Sequence, residues 1–107
     1  MEIVRTSRYI KDLKRLKCSE AEITALEILV AATPLAGDVI PGLQGIRKIR
    51  FGFGGRGKRG GGRAIYFLQI SDEIIVMLNA CAKNEQDDLT VEQKKQALSV
   101  LKEFENE

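Results

Sequence analysis

At Thr33-Pro34 the apolar pattern of this 107-residue chain changes period, from recurrence every three or four residues to alternation. Proline restricts the residue before it and cannot continue a helical hydrogen-bond ladder, so the helical half of the chain must end there. Upstream, Thr6 and Ser7 are N-cap residues for a helix through Tyr9, Ile10, Leu13 and Leu16, with Lys11, Lys14, Arg15 and Lys17 turned outward. Ser19 and Glu22 have capping-box spacing and open a second helix along Ile23, Leu26, Leu29 and Val30. Residues 2–5 are short and partly β-branched, a first strand, and residues 34–45, PLAGDVIPGLQG, read as a connection rich in turn formers. Beyond them, residues 46–51, 63–69 and 74–79 alternate as the strands of an antiparallel meander. A second capping box, Thr90 with Gln93, starts a last helix that turns Val91, Leu98, Leu101 and Phe104 toward a core.

This is one domain, residues 1–107, too short for a dinucleotide fold joined to a substrate domain. An apolar fraction of 44% and a charged fraction of 30% place it among ordinary globular proteins rather than disordered ones. Apolar runs such as residues 28–32 are far below membrane-spanning length. The amino terminus lacks the basic-then-apolar pattern of a signal peptide, so a cytoplasmic protein without membrane partners is expected. Cys18 and Cys81 lack C-x-x-C spacing and there is no histidine, so neither a metal site nor a cofactor is expected. Both are read as reduced, buried thiols in preference to a disulfide.

Charge is distributed unevenly. Residues 39–71 carry seven bases (Arg47, Lys48, Arg50, Arg56, Lys58, Arg59, Arg63) and no acid, whereas residues 72–107 carry nine acids and four bases. A concentrated basic segment is the electrostatic footprint of a polyanion site. Within it, FGFGGRGKRGGGR satisfies G-x-G-x-x-G and the first seven positions of a Walker A loop. Both motifs need the last glycine to open a helix that supplies amide donors, and Lys58-Arg59 followed by three glycines cannot propagate one. Arg59 also stands where the Walker loop needs a hydroxyl for magnesium, so both motifs are rejected. What remains is an adaptable hairpin loop, suited to the irregular phosphate backbone of unpaired RNA. Strand alternation puts Lys48 and Arg50 on one face, with Ile49 and Phe51 on the other. A partner strand beginning at Arg63 brings a third cation beside them, which makes a pocket for a scissile phosphate.

The stretch GDVIPGLQGIRKIRFGFGGRGKRGGGRAIYF followed by LNACAKNEQDDLT resembles the RelE/HigB family of bacterial type II toxins, its HigB branch in particular, over nearly the whole chain. The resemblance implies an α+β fold: two N-terminal helices packed on a twisted, mainly antiparallel sheet, with a C-terminal helix. It implies a metal-independent endoribonuclease (mRNA interferase) that enters the ribosomal A site, cleaves messenger RNA and inhibits translation. It further implies a cognate antitoxin, HigA-like with a helix-turn-helix DNA-binding segment. In catalytic roles it places Lys48, Arg50 and Arg63 at the messenger phosphate, with Lys83 after the last strand; Asn84 beside it is an RNA contact. Leu89-Thr90 stands where RelE has a tyrosine.

Transesterification by a 2′-hydroxyl needs a base, a leaving-group acid and charge stabilisation, and the usual neutral-pH proton carrier, histidine, is missing. Arginine stabilises phosphate charge but does not exchange protons. Lys48 is therefore the expected base, its neutral form favoured by like charges on Arg47, Arg50 and Arg63, with Glu85, Asp87 and Asp88 as alternative proton carriers. Arg47, Arg56, Lys58 and Arg59 are expected to grip RNA. The competing class is a non-catalytic RNA- or ribosome-binding module, or a relative of the fold acting on another target such as gyrase.

Overall fold

The structure, a computed structural model, describes residues 2–54, 61–69, 73–83 and 89–105. Strand β1 (Glu2–Arg5) leads through Thr6 into helix α1 (Ser7–Arg15). The Thr6 hydroxyl accepts the Tyr9 N–H at 3.3 Å and donates to the Met77 carbonyl at 2.8 Å, so one side chain caps the helix and ties it to the sheet. Tyr9 and Leu13 face the core, but Ile10, expected beside them, is 39% exposed. Asp12 is buried on the same helix, where it accepts the Ala80 N–H at 3.0 Å and lies 3.3 Å from the Arg8 guanidinium. Helix α2 (Glu20–Ala32) opens with the expected capping box: the Glu22 N–H bonds the Ser19 hydroxyl at 3.1 Å, and the Ser19 N–H bonds Glu22 Oε1 at 2.8 Å.

The segment expected as a plain connection contains a strand, β2 (Asp38–Val39), which pairs antiparallel with β3 (Arg47–Phe51). Strands β4 (Gly62–Gln69) and β5 (Ile74–Ala82) follow, giving the order β1-β5-β4-β3-β2. Pairing is antiparallel except at β1, which lies parallel to β5, so the sheet is more than a meander. A parallel pair cannot be closed by a hairpin, and here the crossover from β1 carries both helices and the rest of the sheet. The β4–β5 register shifts between Ile65 and Tyr66, a bulge that puts Leu78 and Asn79 where one residue would otherwise stand.

The two sheet faces bury different partners. Tyr9 and Leu13 of α1 and Leu26 and Val30 of α2 pack on Phe51, Ala64, Tyr66, Ile75 and Met77. On the other face, Ala97 and Leu101 of α3 (Val91–Glu105) pack with Leu89, Ile40, Leu43, Ile46, Ile65, Val76 and Leu78. Val91, expected in that stripe, is 70% exposed, whereas Leu89 just before the helix is buried in the same cluster. The Thr90–Gln93 capping box is formed, with bonds of 3.0 and 3.1 Å. Neither Cys18 nor Cys81 is in a disulfide, and both are half-buried rather than buried. Among the described residues no helix is long and apolar enough to cross a membrane.

Candidate functional site

Register decides which basic side chains meet. Arg50 lies directly opposite Arg63 and Lys48 directly opposite Ile65, so all four side chains share the α3 face of the sheet. The apolar contacts of α3 reach Ile46 and Ile65; the next positions outward along the same face are Lys48, Arg50 and Arg63. The sheet thus changes from apolar to cationic where its helical cover ends. Lys48 and Arg63 are half-buried and Arg50 is exposed. Like charges directly opposite one another weaken a strand pair, and Arg50 and Arg63 are such a pair.

These cations line a cleft of about 550 Å³ together with Leu29, Ala36, Asp38 and Ile49. The cleft exists because β2 is only two residues long. Asp38 pairs with Lys48, but the chain before it leaves β3, and Ile49 and Arg50 face open space where β2 would continue. Tyr66 holds that departure in place: its hydroxyl accepts the Gly37 N–H at 3.0 Å and donates to the Pro34 carbonyl at 2.7 Å. Burial holds the Tyr66 phenol above its ordinary pKa, with the Gly37 hydrogen bond and the Arg47 charge pulling down and Asp38 pushing up. Gly37 is required by space, since an added Cβ would stand 2.6 Å from the Tyr66 hydroxyl and 3.0 Å from the Lys48 carbonyl.

Arg47, expected to grip RNA, stands apart from these three cations. Arg47 lies on the opposite face of β3 from Lys48, opposite Tyr66, and its guanidinium donates to the carbonyls of Gly37 at 2.8 Å and Leu35 at 3.3 Å. It braces the cleft wall from behind and does not line the cleft. Lys83 sits just past β5, exposed, with its N–H on the Gly61 carbonyl at 3.0 Å. Because Arg63 pairs with Cys81, Lys83 is one diagonal step from Arg63 and extends the basic series across a third strand. Arg56, Lys58, Arg59 and Asn84, with the alternative proton carriers Glu85, Asp87 and Asp88, lie outside the described residues.

Asp38 was missed by sequence reasoning. The acid-free segment was counted from Val39, and no strand was assigned at Asp38-Val39, so nothing placed this carboxylate against Lys48. The signal was the single β-branched step Val39-Ile40 ahead of Pro41-Gly42. Glu22 was read only as a cap, yet its second oxygen accepts the Gly54 N–H at 2.6 Å, anchoring the first residues of the glycine loop to α2. Hydrogen bonds from the Ser19 and Gly54 N–H groups hold the Glu22 carboxyl below its ordinary pKa. Among the described residues no cluster of three or more His, Cys, Asp or Glu side chains could hold a metal ion.

Chemically, the cleft offers three cations to an anion, one carboxylate as a hydrogen-bond acceptor, and an apolar wall of Leu29, Ala36 and Ile49. That combination suits a nucleotide, with phosphate on the cations and the base or sugar against the wall. No family model matches the chain. Among solved structures the chain is similar to a variant of the E. coli toxin RelE carrying two arginine-to-alanine substitutions, in the free state. That alignment has a TM-score of 0.61 at 14% identity and covers 92% of this chain and 94% of the other. The fold is therefore the RelE-like α+β fold, with two N-terminal helices, a mostly antiparallel five-stranded sheet and a C-terminal helix.

Proposed function

We propose that this protein is the toxin of a type II toxin–antitoxin system, of the HigB branch of the RelE/HigB family, and cleaves messenger RNA in the ribosomal A site. The observation that carries the reading is the convergence of Lys48, Arg50 and Arg63 from two neighbouring strands on one nucleotide-sized cleft. It is supported by the RelE-like fold and by the HigB-like stretches GDVIPG, RKIR and AKNEQDDL. Arg50 and Arg63 bind the scissile phosphate and stabilise the charge that develops on its non-bridging oxygens as phosphorus becomes five-coordinate. Lys48 and the more distant Lys83 complete the electrostatic field. Arg56, Lys58, Arg59 and Asn84 hold the flanking RNA.

Because the cleft is small and open, the protein depends on the ribosome to orient the messenger, and free RNA is cut poorly. Its expected restraint is a HigA-like antitoxin with a helix-turn-helix DNA-binding segment, acting in the cytoplasm. The test is messenger cleavage in a purified translation system, with and without ribosomes, comparing wild type, Lys48→Ala and Arg63→Ala. Ribosome-dependent cuts that fall about 10²–10³-fold in Arg63→Ala, the loss typical when one transition-state donor is removed, support the reading. Ribosome binding without cuts in wild type replaces it with a non-catalytic binding module.

A further inference from the structure

We propose that Asp38 is a catalytic residue, the acceptor of the 2′-hydroxyl proton, and that Lys48 is the acid that protonates the leaving oxygen; this rests on the ribonuclease reading above. Asp38 lies directly opposite Lys48 across the β2–β3 pair, and both line the cleft that also contains Arg50 and Arg63. Among the described residues that line this cleft, Asp38 is the one carboxylate.

The chemistry of the donor set divides the labour. A lysine ammonium carries three donors and no acceptor lone pair, and an arginine is never deprotonated, so neither takes a proton in its ordinary charge state. An ionised carboxylate only accepts. A cleft holding one carboxylate and one ammonium face to face, with two guanidiniums alongside, therefore supplies base, acid and charge stabilisation without requiring Lys48 to be neutral.

In the proposed step the 2′-oxygen passes its proton to Asp38 and attacks phosphorus, forming the O2′–P bond. The P–O5′ bond breaks, and Lys48 gives a proton to O5′. The products are a 2′,3′-cyclic phosphate and a 5′-hydroxyl, so no water is consumed and no redox partner is needed. The apolar residues Leu29, Ala36 and Ile49 bound the cleft beside Asp38 and offer a surface for the sugar that carries the reacting 2′-oxygen.

A leaving-group experiment separates the two roles. Ribosomes programmed with messenger carrying either an ordinary linkage or a sulfur-for-O5′ linkage at the cut site are mixed with wild type, Asp38→Asn, Asp38→Glu and Lys48→Ala. Single-turnover cleavage and ribosome binding are both measured. On the ordinary linkage, Asp38→Asn should lose about 10²–10⁴-fold in rate, the usual worth of a positioned general base, with binding retained and partial recovery in Asp38→Glu. On the sulfur linkage, whose leaving group needs no proton, Lys48→Ala should return to near wild-type rate and Asp38→Asn should not. Full activity of Asp38→Asn, or its rescue by sulfur, overturns the base assignment; a Lys48→Ala variant that sulfur leaves inactive overturns the acid assignment. If wild type itself cuts neither messenger, the ribonuclease reading falls, and this proposal with it.

Discussion

Replacing Tyr66 with phenylalanine should impair cleavage although Tyr66 is not among the residues that line the cleft. Tyr66 is fully buried against α1 and α2, and its hydroxyl joins the Gly37 N–H and the Pro34 carbonyl to the sheet. Without it, the buried Gly37 N–H has no partner, while the half-buried Pro34 carbonyl can turn toward water. A buried donor left unsatisfied costs about 1–3 kcal/mol, so the expected loss is about 2 kcal/mol. For a domain of this size that lowers Tm by about 8–10 °C. The same loss frees residues 34–37, which set the position of Asp38 against Lys48. Single-turnover cleavage on ribosomes should therefore fall at least tenfold below the melting range, while ribosome binding, carried by cations that have not moved, stays near wild type. Ile75→Ala, equally buried but paired with Leu68 and Ile3 rather than with Tyr66 or a cleft residue, is the matched control: it should lower Tm by a similar or larger amount and leave the cleavage rate of the folded protein unchanged. A Tm shift in Tyr66→Phe below about 3 °C, or cleavage equal to the control, would refute the claim that this hydroxyl positions the cleft.

Two further outcomes follow from the same structure. Burial and then the nearby Glu22 raise the Cys18 thiol from 9.0 to about 11, and burial with Glu27 raises the Tyr9 phenol well above 10.0. The folded state thus holds protons that the unfolded chain releases, so stability is fully present below pH 9 and declines as the pH rises toward about 11. Urea midpoints from pH 8 to 10.5 should fall along that limb, and Cys18→Ala should make its first part shallower; an unchanged midpoint across the range would contradict the burial. Arg50→Thr removes one of two like charges directly opposed across β3 and β4, so it should stabilise the protein by about 0.5 kcal/mol, roughly 2 °C in Tm. It should also reduce the salt dependence of RNA binding by about 0.7 in the log–log slope, as expected for one lost contact to single-stranded phosphate. A destabilised variant with an unchanged slope would mean that Arg50 is structural.

The parts of this fold that were legible in the sequence are those written in local chemistry. Both capping boxes involve residues three apart, and alternation alone assigned Lys48 and Arg50 to one face. Charge composition has no direction: Arg47 is next to Lys48 in sequence, but parity turns it toward the Gly37 carbonyl. Ile10 and Val91 fit a helical period and still reach solvent, because periodicity names a face without saying how far the partner surface extends. Asp38 and Tyr66 were invisible for a different reason. Their roles depend on register between segments ten and more residues apart, and a two-residue strand carries too little pattern to fix a register in advance.

The shortness of β2 and the chemistry of the cleft are one construction. If residues 34–37 continued the strand, their backbone would pair with Ile49 and Arg50 and fill the edge that now opens on the cleft. Ending a strand early leaves backbone groups that need other partners in a buried setting. The Tyr66 hydroxyl and the Arg47 guanidinium supply them for Pro34, Leu35 and Gly37. Both side chains come from the face of the sheet away from the cations, so the residues that brace residues 34–37 are not the ones that line the cleft. Lys48, Arg50 and Arg63 line the cleft, and the repulsion between the directly opposed arginines is relieved when an anion arrives between them. A phosphate bound there gains from that relief as well as from direct attraction, which is a physical reason for a small sheet to keep two arginines in direct opposition.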